Sequence, residues 1–291
     1  MGRGLQESGY AAGMDDYPDI AFIGGGNMAR SLVGGLVARG WPAARIHVAE
    51  PNAGLREGLT REFGIEASDD NSAIAAQAQV WLFAVKPQVM RSVAQALAPL
   101  AAVRAPLSVS IAAGITADQL DRWLGGGQAV VRAMPNTPAL LGAGATGLHA
   151  NAGVSAAQRA LAERLLAAAG STTWIGDEPA MDAVTGLSGS GPAYVFLLAE
   201  AMQAAGRAEG LDADAARDLA LQTIFGAARM LLESGETAEV LRQRVTSPNG
   251  TTQAAIEIFE DGGFRELVGR AIAAAARRGR ELSQANEAPG A

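Results

Sequence analysis

Residues 20–30 read Ile-Ala-Phe-Ile-Gly-Gly-Gly-Asn-Met-Ala-Arg, and this stretch limits the fold more than any other. Four apolar residues predict a buried strand, three glycines break it, and Leu32, Val33, Leu36 and Val37 continue at helical spacing. Gly24-x-Gly26-x-x-Ala29 is thus a dinucleotide-binding fingerprint in its G-x-G-x-x-A form. The first glycine makes a tight turn and the second lets backbone approach a pyrophosphate. The third, small position lets helix and strand pack closely, with the helix start aimed at the phosphates. A bare structural turn is the alternative in a chain with 36 glycines. The strand before and helix after favour the dinucleotide.

At 291 residues the chain is long enough for two domains. Apolar residues make up 49% and charged ones 18%, which predicts a compact fold rather than a disordered chain. A net charge of -7 argues against nucleic acid or an anionic membrane as the main partner. No cysteine is present, so disulfides, thiol catalysis and thiolate metal sites are excluded together. His47 and His149 are the only histidines, which argues against a histidine metal centre or a Ser-His-Asp triad, and no metal is expected. Residues 1–16 lack an apolar core and predict a flexible N-terminal tail, not a signal peptide. The chain contains no long uncharged apolar run, so a cytoplasmic location is expected.

Past the glycines, a helix over 27–38 ends at Arg39-Gly40, and 45–49 predicts a second strand closing on Glu50. An acid about 24 residues beyond the glycine turn commonly holds the ribose 2′-hydroxyl of NAD. Such a carboxylate would repel the 2′-phosphate of NADP; a solvated strand end is the other reading of Glu50. Val80–Val85 is a continuous apolar run suited to a central parallel strand, and Lys86-Pro87 stops it. Lys86 is the only lysine among 23 basic residues. At the carboxyl end of a central strand it is placed to meet cofactor phosphate or ribose; a snorkelling surface lysine is the alternative.

Strands are also predicted over 107–111 and 129–134, the first running into Ala112-Ala113-Gly114 and the second into Pro135-Asn136-Thr137-Pro138. Thr116-x-x-Gln119 and Ser155-x-x-Gln158 have capping-box spacing, and two more strand-like runs lie near 145–149 and 172–175. Strand and helix in alternation predict a Rossmann-like doubly wound α/β sheet over 17–177. From Asp182 onward the pattern is helical, which predicts an all-α domain over 178–284 and a C-terminal tail over 285–291. The helix Ala193–Ala208 and much of 215–232 are apolar on nearly every face. Such helices must be buried, so a second copy of the chain is expected to cover them. A monomer hiding both helices against its own sheet is the alternative.

Val245-Thr246-Ser247-Pro248-Asn249-Gly250-Thr251-Thr252 is a turn-rich loop leading into a helix that ends at Asp261-Gly262-Gly263. Free amides at that helix start, with hydroxyls on Ser247, Thr251 and Thr252, form a carboxylate or phosphate receptor that needs neither histidine nor lysine. Simple helix capping is the plainer reading, but three hydroxyl residues exceed what a cap needs.

The chain resembles the pyrroline-5-carboxylate reductases. The matching motifs occur in order: 22–28, 84–88, Arg132–Pro138, Gly186–Tyr194 and Val245–Thr252. One departure is Asn249, where many members carry glycine; left-handed backbone suits either. The resemblance implies a hydride transfer from NADPH, with NADH possible, to 1-pyrroline-5-carboxylate, the last step of proline biosynthesis. It implies cofactor contacts at Ile23, Gly24, Gly25, Gly26, Asn27, Met28, Asn71, Ala84, Val85, Lys86, Pro87, Ala112 and Ala113. It also implies substrate binding by Ser247, Asn249, Gly250, Thr251 and Thr252, with Thr252 on the ring nitrogen and Ser247 at the carboxylate receptor. The helical domain is expected to form a homodimer, in many members assembled as a pentamer of dimers. A β-hydroxyacid dehydrogenase is the nearest rival, but its acid/base lysine position is Val195 here. A non-catalytic nucleotide sensor would not need the hydroxyl loop.

Overall fold

The structure, a computed structural model, describes residues 17–287. The expected N-terminal tail 1–16, and residues 288–291 of the expected C-terminal tail, lie outside the described residues. The chain divides into two compact units. One runs to Gly189 and takes in the chain again from Arg278, and the other is Ser190–Arg277.

In the first unit the elements run β1 (Ile20–Ile23), α1 (Asn27–Ala38), β2 (Ile46–Ala49), α2 (Ala53–Phe63), β3 (Glu66–Ser68) and α3 (Asn71–Ala76). Next come β4 (Val80–Phe83), α4 (Pro87–Arg104), β5 (Leu107–Ser110), α5 (Ala117–Trp123) and β6 (Ala129–Met134). β7 (Gly144–Ala150), α6 (Ala156–Leu166), β8 (Gly170–Trp174) and α7 (Met181–Val184) complete it, followed by a π-helical turn, Thr185–Gly189. The eight strands lie in the order β3-β2-β1-β4-β5-β6-β7-β8.

Alternation along the buried strands sends successive side chains to opposite faces. Phe22, Val48, Leu82 and Val109 pack on one face with Leu32 and Leu36 of α1. Trp81 and Phe83 pack on the other with Met90 and Leu97 of α4 and Leu120 of α5. Each of these large side chains contributes about 1.5–3 kcal/mol by leaving water. Both capping boxes form: Thr116 with Gln119, and Ser155 with Gln158.

The sheet is mostly parallel, but β7 runs antiparallel to β6, and β8 parallels β7. A parallel return needs a crossover of roughly a dozen residues or more. Only the short 3₁₀ turn Thr137–Leu141 lies between β6 and β7, so the chain reverses instead.

The second unit holds α8 (Gly191–Ala208), α9 (Ala213–Glu233), α10 (Ala238–Arg244), α11 (Thr251–Asp261) and the greater part of α12 (Phe264–Ala285). α8 starts with Pro192 in its first turn, and Asp212 caps α9 by accepting from the Ala215 amide at 2.8 Å. α8 and α9 bury only Ala199, Ala216 and Ala220. Phe196, Leu197 and Leu232 are 61%, 66% and 85% exposed. Within one chain, therefore, the apolar helices face outward. A cavity of about 970 Å³ lined by Leu198, Met202, Phe259, Phe264 and Val268 adds to this open apolar surface.

Candidate functional site

The strand order reverses direction on either side of the β1–β4 pair, and in open α/β sheets ligands bind at such a switch point, beyond the carboxyl strand ends. Strands β2, β1, β4 and β5 end level with one another. Gly24 donates to the Ala49 carbonyl (2.8 Å), Ala84 to Ile23 (2.8 Å) and Ile111 to Phe83 (3.1 Å). One edge of the sheet therefore gathers Ile23–Met28, Ala84–Pro87 and Ala112-Ala113. Asn71 opens α3 just past β3, a strand parallel to β2.

Gly24 sits at φ +104°, and a Cβ there would lie 2.8 Å from the carbonyl carbon and oxygen of Ala84. No side chain fits where the two loops touch. Gly26 is different. It has an ordinary φ of -69°, caps α1 without any side-chain bond, and a Cβ on it would meet no protein atom within 4 Å. Protein packing does not require glycine there, whereas a pyrophosphate lying against the backbone does. The first-turn amides of α1 have no intrahelical acceptors, and no acidic side chain occupies that turn. These residues fit a dinucleotide.

Lys86 is exposed and forms the N-cap of α4, whose first residue is Pro87. A second helix start thus adjoins the first at the same edge. Glu50, by contrast, is not solvated. Its carboxylate accepts from the Gly25 amide (2.8 Å) and the Asn52 amide (2.9 Å), and the residue is only 9% exposed.

Sequence reasoning did not foresee a buried ionic group behind β6. Arg132, 4% exposed at its side chain, lies 3.2 Å from Asp182 and 3.5 Å from Glu178, and Glu178 also accepts from the Ala117 amide at 2.6 Å. Removing one partner of such a group leaves a buried charge, typically a loss of about 3–5 kcal/mol. Asn136 works beside it. Its amide donates to the Ser188 carbonyl (3.0 Å) and accepts from the Ala145 amide (2.9 Å), tying the Pro135–Pro138 loop to the π-helical turn. π-helical turns are frequent at functional sites. An arginine inside an apolar strand was the available signal; its partners, far along the chain, were not readable.

In the second unit the loop before α11 brings Ser247, Asn249, Gly250, Thr251 and Thr252 to one helix start. Asn249 adopts φ 57°, the left-handed backbone that its family alternative, glycine, would also supply. The Gly250 amide donates to the Ser247 carbonyl (3.1 Å), and Gln253 accepts from the Asn249 amide (2.8 Å). The Ser247 hydroxyl leans over the turn, 2.6 Å from where a Cβ on Gly250 would lie. Gly250 is the N-cap of α11, and no side chain caps that helix. Capping therefore does not account for the hydroxyls, and the helix start retains free amides. Thr252 is half-buried while Ser247 and Thr251 are exposed. In the first unit all the expected residues but Asn71, which lies beyond β3, sit at the ends of β1, β4 and β5, and in the second they share the start of α11.

Two family models match the chain. Residues 178–282 match pyrroline-5-carboxylate reductase dimerisation, and residues 19–114 match NADP oxidoreductase coenzyme F420-dependent. A pyrroline-5-carboxylate reductase of Pseudomonas aeruginosa is 53% identical over 267 residues, covering 92% of this chain and 97% of the relative. The solved structure of a pyrroline-5-carboxylate reductase from Coxiella burnetii matches with a TM-score of 0.89 at 43% identity, over 91% of this chain and 98% of that one. The structure of a Plasmodium falciparum pyrroline carboxylate reductase with NADP bound matches with a TM-score of 0.81 at 27% identity, over 93% of this chain and 100% of that one.

Proposed function

The chain belongs to the pyrroline-5-carboxylate reductase family, and from that premise we propose which of its residues carry each part of the NAD(P)H-dependent reduction of 1-pyrroline-5-carboxylate to L-proline. Bound at the sheet edge, the reduced nicotinamide supplies the hydride. Gly26, Asn27 and Met28 hold the pyrophosphate by backbone amides, while Gly24 and Gly25, whose amides serve Ala49 and Glu50, shape the turn beneath it and Ile23 backs that turn. Asn71, Ala84, Val85, Lys86, Pro87, Ala112 and Ala113 line the rest of the dinucleotide. Ser247, Asn249, Gly250 and Thr251 receive the substrate carboxylate with amides and hydroxyls, and Thr252 hydrogen-bonds the ring nitrogen.

This plain residue set suits the chemistry. The substrate is a cyclic imine whose nitrogen is appreciably protonated near neutral pH, so its carbon accepts hydride without a dedicated strong acid. The protein has to bind, orient and exclude competing geometry. A 2-hydroxy acid would need a general base, and Val195 occupies the position where a lysine would serve. The observation that carries the assignment of Ser247–Thr252 is the uncapped start of α11 amid three hydroxyl residues.

We assign residues 17–177 to dinucleotide binding and 178–284 to dimerisation and substrate binding. The exposed apolar faces of α8 and α9 support a homo-oligomer built on this second part. Within it, a partner's loop completes each active site. A pentamer of dimers is the assembly we expect, in the cytoplasm. Among the described residues no helix is long and apolar enough to cross a membrane.

The test is a reduction assay with 1-pyrroline-5-carboxylate and its six-membered homologue, each with NADH and with NADPH. Nicotinamide oxidation should accompany formation of L-proline from the five-membered imine. Absence of turnover with both nicotinamides would refute the assignment.

A further inference from the structure

Glu50 follows β2 at the sheet edge and reaches back to the glycine turn, where the Gly25 amide donates to its Oε2 at 2.8 Å. The Asn52 amide donates to its Oε1 at 2.9 Å, and Asn52 itself caps α2 by accepting from the Leu55 amide at 3.1 Å. The side-chain stem is wedged as well, since a Cβ on Gly25 would sit 3.0 Å from the Glu50 Cβ. The carboxylate therefore cannot swing aside without stranding two amides. An ionised carboxylate has about four acceptor positions, so two remain for hydroxyl donors after both amides are served.

In this fold the acid at the end of the second strand faces the ribose 2′-oxygen of the adenosine half. A 2′-hydroxyl donates to it. A 2′-phosphate instead brings a charge of about -1.5 to -2 against the carboxylate's own negative charge. Neutralising such a charge would require a cation close by; Arg45, before Glu50, pairs with Asp19 at 2.7 Å, and Arg56, after it, is engaged as well. Its Nη1 donates to the carbonyls of Glu50 (2.7 Å) and Pro51 (2.9 Å), and its Nη2 lies 3.7 Å from the Asp69 carboxylate. Residues 50–55 contain no other basic side chain.

We infer that Glu50 sets the nicotinamide specificity of this reductase in favour of NADH, by fixing a carboxylate where NADPH would place its 2′-phosphate. The inference rests on the dinucleotide site assigned above. It concerns this chain's own residue at that site, and it holds against the NADP carried by the Plasmodium falciparum structure.

Titration calorimetry with NAD⁺ and NADP⁺ tests it without reference to turnover. The unaltered protein should bind NAD⁺ at least about tenfold more tightly than NADP⁺. Glu50→Gln, which keeps the shape and removes the charge, should narrow that ratio by about tenfold. Arg56→Ala should leave NADP⁺ affinity within about twofold. Equal or tighter binding of NADP⁺ by the unaltered protein overturns the inference, whatever the variants do. So does a Glu50→Gln protein that loses both dinucleotides equally, the mark of a mere brace, or a selective loss of NADP⁺ in Arg56→Ala. Preference for NAD⁺ in a protein that reduces no imine would instead leave this inference standing and refute the assigned reaction.

Discussion

The two halves of the proposed site are made in opposite ways. The dinucleotide half is finished within one chain. Its central strands are buried on both faces, and Gly24 is pinned against Ala84 at a φ of +104° that few residues other than glycine tolerate. The imine half sits on helices whose large side chains face outward, with Leu232 at 85% exposure, and its loop offers amides and hydroxyls that nothing in the helix caps. One half is rigid because its own core holds it. The other awaits a second copy of the chain, so its geometry depends on association as well as on sequence.

The largest effect should come from Gly26→Val. A Cβ there meets no protein atom within 4 Å, so the melting temperature should fall by no more than about 2–4 °C, the cost of a poorer N-cap. Dinucleotide affinity should fall at least about 100-fold, because the pyrophosphate would lose its approach to the backbone. Calorimetry and thermal melts on the same sample separate the two. A stable variant that binds as well as its parent would dissolve the contrast between a protein-imposed Gly24 and a ligand-imposed Gly26.

Thr252→Ala comes next. It should lower kcat/KM for 1-pyrroline-5-carboxylate by about 10- to 100-fold, one hydrogen bond to a charged group, while the nicotinamide dissociation constant stays put. An unchanged rate constant would remove Thr252 from the mechanism. Leu197→Glu should weaken self-association at least about tenfold, since a charge at an apolar contact is costly to desolvate. Sedimentation at micromolar concentration reads it, and an undiluted oligomer in that variant would show that α8 is not the covered face. The smallest effect belongs to Asp212→Ala, which removes the cap of α9 and should cost about 1 kcal/mol. Its melting temperature should rise with protein concentration. The same loss at Thr116, which caps α5 in the first unit, should show a weaker concentration dependence if that unit is self-contained.

Local features were legible in the sequence and distant pairings were not. The glycine turn, the stop at Lys86-Pro87, the boxes at Thr116 and Ser155 and the left-handed Asn249 all follow from a few adjacent residues. β3 did not, because Glu66-Ala67-Ser68 is an edge strand too short and too polar to carry a period. The reversal of β7 had a signal, the helix-free link after β6, but only as a length argument. Glu50 shows the difference most sharply. Its type and position suggested a ribose contact or a solvated strand end, and its bond to the Gly25 amide excludes the second reading. Arg132 with Asp182 and Glu178 lay beyond reach because charge pairing across a fold leaves no trace in local spacing.

The solitary lysine has a practical use. Lys86 is exposed at the head of α4, beside the crevice between β1 and β4, and no other side chain of the protein carries a primary amine. An amine-directed fluorophore, applied at a pH that spares or separately resolves the α-amino group, would tag each subunit at that one side chain. Because that amine lines the proposed dinucleotide site, bound nicotinamide should shield it, so the tagging rate with and without the dinucleotide would read occupancy, with no cysteine to engineer and none to block.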